Sequence, residues 1–133
     1  MQLSKQSRAL NSYGQVALHS EVQIASRHRL IQMLMEGALE KIAYAKGDIE
    51  RGNLQEKGKN IGWAISIING LRSSLDSETG GDIANNLDDL YEYMGRCLSE
   101  ANISTDVEKL EEVTSLLLKI KGAWDEIPNE FHK

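Results

Sequence analysis

Apolar residues recur at spacings of three and four along most of this chain, which is the periodicity of amphipathic helices. In the first such stretch, residues 26–50, a broad apolar arc is accompanied by a second apolar stripe on another side. The arc comprises Ile31, Leu34, Met35, Ala38, Ile42, Ala45 and Ile49, and the stripe comprises Leu30, Met33, Gly37 and Tyr44. Because one arc is enough to pack a helix into a core, the second predicts additional burial or contact with a partner.

Three further helical segments follow, and capping signals mark where helices begin. Ser26 is the predicted N-cap of the first helix, and the pairs Asn53–Glu56 and Thr105–Glu108 have capping-box spacing. The expected core positions are Leu54, Ile61, Ala64, Ile65, Ile68, Leu71 and Leu75 in the second helix, Ile83, Leu87, Leu90, Tyr91, Met94, Leu98 and Ala101 in the third (about 82–101), and Leu110, Val113, Leu117, Ile120, Trp124 and Ile127 in the fourth. Because the connections are short, this pattern predicts an all-α, antiparallel four-helix bundle.

Residues 1–24 are mostly polar and are predicted to form an N-terminal arm. Leu10, Tyr13 and Ala17 have helical spacing, which is enough to dock as a short helix and too little to fold alone. We therefore expect one domain over residues 1–133, with the arm at 1–24 and the bundle at 25–133.

Charge and hydropathy exclude two classes of partner. The formal net charge is −5 and no concentrated basic face is evident, so we do not expect nucleic-acid binding. The short cluster Arg27, His28 and Arg29 is expected to be a solvated helix start. No segment approaches the ~20 consecutive apolar residues of a membrane span, and the first residues lack a secretory signal. The sequence therefore predicts a cytoplasmic protein that does not insert into membranes.

Candidate residues for metal binding or catalysis are sparse. Metal sites in helical bundles use Glu-x-x-His pairs, and none of His19, His28 and His132 has a glutamate three residues before it. We expect exposed histidines, no metal, no cofactor and no enzymatic activity. Cys97 is the only cysteine and borders the apolar arc of the third helix. It is therefore expected to be a small buried hydrophobe in a reducing compartment.

A row of small residues marks the second helix at every fourth position: Gly58, Gly62, Ser66, Gly70 and Ser74. Each helical glycine costs about 1 kcal/mol relative to alanine, so local stability does not explain the row. Small residues allow another backbone to approach closely, either inside the bundle or as a groove for a foreign helix. The candidate partner-binding residues outside the core arcs are Leu10, Tyr13, Leu30, Met33, Gly62, Trp63, Ser66, Ile67, Gly70 and Leu118.

Several stretches also carry a family likeness when they are taken in order. They are residues 25–39 (ASRHRLIQMLMEGAL), 64–71 (AISIINGL), 74–76 (SLD), 80–87 (GGDIANNL), 90–94 (LYEYM), 113–117 (VTSLL) and 123–124 (AW). Together they resemble the flagellar export chaperones that hold flagellin. Two positions depart from that pattern, since Arg27 stands where proline is common and Met35 stands where an aromatic residue is common.

The resemblance implies a non-enzymatic, ATP-independent chaperone, either a monomer or a weak homodimer. Such proteins bind the C-terminal segment of flagellin, block premature assembly and deliver the subunit to the flagellar type III export apparatus. The likeness also implies that a segment around Tyr13 covers part of the apolar surface in the absence of client, although an arm that completes the core is the alternative. Two other hypotheses are a metal-binding bundle protein or enzyme and a self-associating structural bundle.

Overall fold

Four helices form the described part of the chain, which in this computed structural model covers residues 26–75 and 77–131. They are α1 (Arg27–Glu50), α2 (Leu54–Ser73), α3 (Ser77–Ser104) and α4 (Val107–Asp125), followed by a short 3₁₀ turn at Asn129–Phe131. No strand occurs within these ranges. The predicted all-α four-helix bundle is therefore confirmed, while the expectations for residues 1–24 lie outside the described residues.

Contacts between the helices show an antiparallel ring. On α2 and α3, Lys57 contacts Asn102 and Arg72 contacts Asp88, so residue numbers rise along one helix while they fall along the other. The same reversal relates α1 to α2, α1 to α4 and α3 to α4. α1 and α3 each pack against both α2 and α4. The α3–α4 edge therefore lies on the opposite side of the bundle from the α1–α2 edge.

The core consists of aliphatic side chains from all four helices, with alanines where the helices approach closely. Burying each large side chain contributes roughly 1.5–3 kcal/mol, which is the main source of helix stability here. The fully buried members include Met35, Ala38, Ile42 and Ala45 on α1, Ile61, Ala64, Ile68 and Leu71 on α2, Met94, Leu98 and Ala101 on α3, and Leu110, Val113 and Leu117 on α4. Cys97 is buried among them, as predicted.

Three residues that were predicted to lie in the core are exposed. Leu54 is the first residue of α2, and helical side chains lean toward the N-terminus, so this side chain extends past the helix end. Leu90 is on the surface, and Ile83, near the start of α3, is 72% exposed. The regular spacing of Ile83 and Leu90 placed them on the apolar arc correctly, but no described helix packs over them.

The predicted caps are correct for α1 and wrong in detail for α2 and α4. Ser26 accepts a hydrogen bond from the Arg29 backbone N–H at 3.1 Å, as expected. Asn53 occupies the N-cap position of α2, but its side chain makes no capping bond, so the proposed capping box is absent. At α4 the N-cap is Asp106, whose carboxylate accepts from the Glu108 N–H at 3.0 Å.

Thr105 cannot cap α4 because it terminates α3. Its φ of 53° places it in the left-handed conformation that ends many helices, and the Asp106 N–H donates to the Ala101 carbonyl at 3.1 Å. Its hydroxyl accepts a hydrogen bond from the Lys57 ammonium at 3.2 Å. Thr105 therefore ends α3 and bonds to α2, whereas its spacing to Glu108 predicts that it caps α4.

Buried polar groups close the end of the bundle that carries the 51–53 and 105–106 connections. Lys57 donates to the Asn102 carbonyl at 2.8 Å and thereby satisfies one of the last carbonyls of α3. The Asp48 carboxylate accepts from Asn60 at 2.7 Å and from Arg51 at 2.8 Å. Both residues are buried, and a buried charge is tolerated only when hydrogen bonds of this kind satisfy it.

α3 contains a kink at Gly81, which separates a single turn at 77–80 from the body of the helix. The body begins next to Gly81, as predicted from the sequence (about 82), whereas the turn before it was not predicted. Gly81 has φ 55° and ψ −129°, and the single turn before it is continuous with neither α2 nor the body of α3. A residue with a Cβ is strained in this conformation, whereas glycine adopts it readily. The backbone between α2 and α3 therefore depends on glycine at this position.

Replacing Gly81 with alanine is expected to destabilise the protein by about 1–3 kcal/mol, because alanine does not tolerate this backbone conformation. The matched control is Gly95→Ala in the same helix, where an added Cβ would meet no atom within 4 Å. That control should be neutral or stabilising by up to about 1 kcal/mol, since alanine is the better helix former. Urea denaturation of both variants measures the difference. Equal stability of Gly81→Ala and the parent protein would show that the kink is absent in solution.

Candidate partner-binding surface

An open apolar groove runs between the start of α3 and the end of α4. Its cavity volume is about 440 Å³, and its walls are Ile83, Leu87, Lys119, Ile120, Ala123, Trp124 and Ile127. We call this the Trp124 groove. Lys119 is the only charged residue among these seven, so the groove presents hydrocarbon and aromatic surface to any molecule that enters it.

Trp124 is held in one orientation by the first turn of α1. Its indole Nε1–H donates to the His28 carbonyl at 2.9 Å. Its ring stacks on the His28 imidazole with a centroid distance of 4.8 Å and an interplanar angle of 8°. A large ring that is already fixed loses little conformational freedom on binding, which favours affinity.

The structure corrects two predictions about His28, namely that its side chain is exposed and that it belongs to a solvated helix start. It is 4% exposed rather than solvated, so the interpretation of residues 27–29 as an entirely solvated helix start is wrong at its central position. Arg27 remains exposed, and its guanidinium donates to the Ser74 carbonyl. His28 is buried because the end of α4 packs over the first turn of α1, a contact that sequence spacing does not encode.

Polar contacts beside the stack attach the end of α4 to α1. The Asp125 carboxylate accepts from Lys121 at 2.7 Å and from Gln32 at 2.8 Å. The Lys121 hydrogen bond is the largest cause that holds the pKa of Asp125 below its usual value. Because these pairs are exposed, each contributes little to stability, but together they orient the helix turn that carries Trp124.

The sequence did not single out the Trp124 groove, because its residues were predicted to form core. Ile83, Leu87, Ile120, Trp124 and Ile127 all have core spacing, and only the three-dimensional arrangement shows that they border open space. No spacing in the sequence separates these five positions from the buried core positions of the same arcs.

The predicted second stripe of α1 lies on the other side of the bundle, next to α2. Leu30 and Met33 are half-buried, Tyr44 is exposed, and an added Cβ on Gly37 would lie 3.5 Å from Ile67. The Lys41 ammonium lies 5.5 Å from the ring centroids of both Tyr44 and Trp63, within cation–π range. We call this the Trp63 face, comprising Leu30, Met33, Gly37, Lys41, Tyr44, Trp63 and Ile67.

The row of small residues does not form a straight groove, because residues four apart advance by only 40° per step around a helix. Gly58 is near α3, where an added Cβ would lie 3.9 Å from the Asn102 side chain. Gly62, Ser66 and Gly70 are exposed, and a Cβ added to Gly62 or Gly70 would meet no atom within 4 Å. Within the described chain, packing of neighbouring helices therefore does not explain these two glycines.

Of the remaining predicted partner-binding residues, Leu118 does not lie on the Trp63 face. Leu118 is 53% exposed on α4. Glu111 and Asp125, one heptad on either side of it, bond to α1 through Lys46 and Gln32, so Leu118 lies on the face of α4 nearest α1. Leu10 and Tyr13 lie outside the described residues, and their predicted role stays a prediction.

Neither a candidate metal site nor a membrane-spanning helix occurs in the described part of the chain. In residues 26–75 and 77–131, no group of three or more histidine, cysteine, aspartate or glutamate side chains could hold a metal ion. In the same ranges, no helix has the length and apolarity needed to span a bilayer.

Comparison with known proteins gives one consistent result. The family model described as flagellar protein FliS matches residues 9–130. A flagellar secretion chaperone FliSB of Pseudomonas aeruginosa is 53% identical over 120 residues, which cover 90% of this chain and 95% of that protein. The flagellar secretion chaperone FliS of Vibrio cholerae is 43% identical, covering 93% and 91%. The chaperone of the same name from Escherichia coli is 40% identical, covering 90% and 88%.

Replacing Gly62 with leucine should leave the fold intact, because Gly62 is exposed and leucine has the higher helix propensity. The melting temperature is expected to be unchanged or slightly higher. The control, Ala64→Leu, inserts the same side chain two residues away at a fully buried position, where overpacking costs roughly 1–3 kcal/mol. Thermal denaturation compares the two variants. A large drop for Gly62→Leu would mean that another part of the chain packs on this side of α2.

Proposed function

This chain belongs to the FliS family of flagellar proteins, a family of secretion chaperones and not of enzymes, and on that premise we propose its client. The protein acts as an export chaperone that binds the C-terminal segment of flagellin in the cytoplasm. Binding prevents premature polymerisation, and the complex is delivered to the flagellar type III export apparatus. The Trp124 groove is the observation that carries the proposal.

The groove suits an amphipathic segment better than a small polar substrate. Its walls are aliphatic and aromatic, and the fixed ring of Trp124 provides a large apolar contact. A chain that is disordered when free can lay its apolar side chains into such a groove and become ordered as it binds. This mechanism requires neither a bound nucleotide nor a catalytic group.

The Trp63 face adds the length that such binding requires. Ordering a disordered segment costs several kcal/mol, so the interface has to extend beyond one groove. We propose that the client also contacts the Trp63 face, where Leu30, Met33, Trp63 and Ile67 form the apolar surface and Gly62, Ser66 and Gly70 allow close approach. Leu118 would extend the contact on the other flank of α1.

Covering the client's apolar side is the proposed means of preventing polymerisation. Flagellin subunits can associate only through surfaces that are accessible, and a segment folded onto this bundle has its apolar residues buried. Release at the export apparatus would expose them again. No energy source within the chaperone is needed, since the equilibrium depends only on which partner covers the apolar surface.

Calorimetric titration of the full chain with a peptide of the flagellin C-terminal segment tests the proposal. We expect saturable binding with a negative heat-capacity change, because apolar surface is buried. Affinity should change little between low and high salt, since exposed ion pairs are screened while apolar contacts are not. Light scattering of the same samples should show one chaperone per peptide. Absence of binding, or self-association that the peptide does not alter, would contradict the proposed function.

Replacing Ile83 with glutamine tests whether the Trp124 groove is the binding site. The side chain is 72% exposed, so stability should hardly change, whereas client affinity should fall roughly tenfold through lost apolar burial. The matched control is Ile103→Gln, at an 87% exposed position near the opposite end of the same helix. The control should bind like the parent protein. Equal affinities of both variants would place the client elsewhere.

Replacing Tyr13 with alanine tests the proposal that the N-terminal arm covers apolar surface and competes with the client. Displacing a docked arm subtracts its docking free energy from the apparent affinity, so weaker docking should give similar or tighter client binding. Hydrogen exchange in residues 1–24 should become faster. Loss of client binding in a variant whose bundle remains folded would make Tyr13 a direct contact and would exclude the competing-arm mechanism.

A further inference from the structure

A second cavity, of about 210 Å³, lies at the end of the bundle where α1 begins and α4 ends. Residues of α1, α3 and α4 line it, together with the connection that follows α2 and the turn before the Gly81 kink. Its walls are Arg27, Ile31, Met35, Ser74, Leu75, Gly80, Ile83, Ala84, Leu87, Tyr91, Ile120 and Trp124. Met35, Ala84 and Tyr91 are buried, whereas Ile83 is exposed. The cavity therefore extends from the surface into the end of the bundle core, and the residues that the structure describes leave it unfilled.

The chemistry of the cavity favours a neutral, apolar occupant. Few polar groups line it, and two of them are bonded to each other, since the Arg27 guanidinium donates to the Ser74 carbonyl. The Tyr91 phenol is uncharged at neutral pH, and burial raises its pKa further, to about 12. A charged or strongly polar ligand would lose its hydration among walls that are mainly aliphatic and aromatic.

The size of the cavity and its connection to the Trp124 groove indicate how it could be filled. Apolar protein cavities of about 150 Å³ can hold one benzene molecule, so about 210 Å³ accommodates one large side chain. The cavity and the groove share Ile83, Leu87, Ile120 and Trp124 as walls. A peptide in the groove therefore needs no further channel to place one side chain in the cavity.

We propose that this cavity is an anchor pocket for one large apolar side chain, leucine, methionine or phenylalanine, of the partner segment that occupies the Trp124 groove. The inference rests on the proposed function and adds to it the residue class that the partner must carry. The partner's side chain completes the bundle core, so binding should stabilise the fold more than contact with an exposed groove alone. Filling the pocket from within the chain should preserve stability and weaken binding.

Benzene is the probe for the pocket, and the partner is a peptide of the flagellin C-terminal segment. In the full chain, benzene should shift the methyl resonances of Met35 and Ala84 in a saturable manner, and the peptide should displace it. Leu87→Trp places an indole in the cavity and should abolish the benzene shifts, keep or raise the melting temperature, and weaken peptide binding roughly tenfold or more. The control Ile103→Trp adds the same ring at the far end of α3 and should change none of these.

The outcomes separate this inference from the proposed function. If benzene causes no shift in the parent protein, or if the peptide binds without displacing it, the anchor pocket is excluded and the chaperone proposal stands. Undiminished peptide binding by a folded Leu87→Trp variant also excludes the pocket. If the peptide does not bind the parent protein at all, the proposed function fails first. If Leu87→Trp does not fold, displacement of benzene by the peptide in the parent protein decides the question alone.

Discussion

A four-helix bundle has to fill its core from one end to the other, and the two ends of this bundle meet that requirement differently. At the end with the 51–53 and 105–106 connections, Lys57 and Asp48 are buried and hydrogen-bonded to groups on neighbouring elements. At the other end the side chains around Trp124 leave apolar space. The two ends therefore differ in chemistry. Internal hydrogen bonds close one end, whereas the described residues leave apolar space at the other, where we propose that the partner binds.

The open end is ordered, although the described residues do not fill it. Trp124 is fixed by a hydrogen bond and a ring stack to His28, and His28 is placed by the Ser26 cap that begins α1. The kink at Gly81 sets the course of the chain along the wall of the cavity. Local backbone chemistry at two helix starts thus helps to determine the shape of an apolar surface that residues of α1, α3 and α4 line.

The arrangement explains how a small protein without catalytic machinery can act as a secretion chaperone. The Trp124 groove between α3 and α4 and the Trp63 face along α1 and α2 lie on different sides of the ring of helices. Each is too small to compensate for the ordering of a long disordered segment. Together they would supply the contact area for the proposed client, and the buried core between them, which includes Ile42 and Leu98, supports both surfaces.

The sequence by itself determined the helices, the ring-like bundle and the family, because helical periodicity and turn residues are local and four short-linked amphipathic helices have few ways to bury their arcs. It also identified Trp63 and Gly62 as lying outside the core. Only the tertiary structure decided that Ile83 and Trp124 border open space, that His28 is buried and that Thr105 ends α3 instead of capping α4. The physical reason is that periodicity tells which residues share a side of a helix, whereas burial depends on whether another helix extends far enough to cover that side.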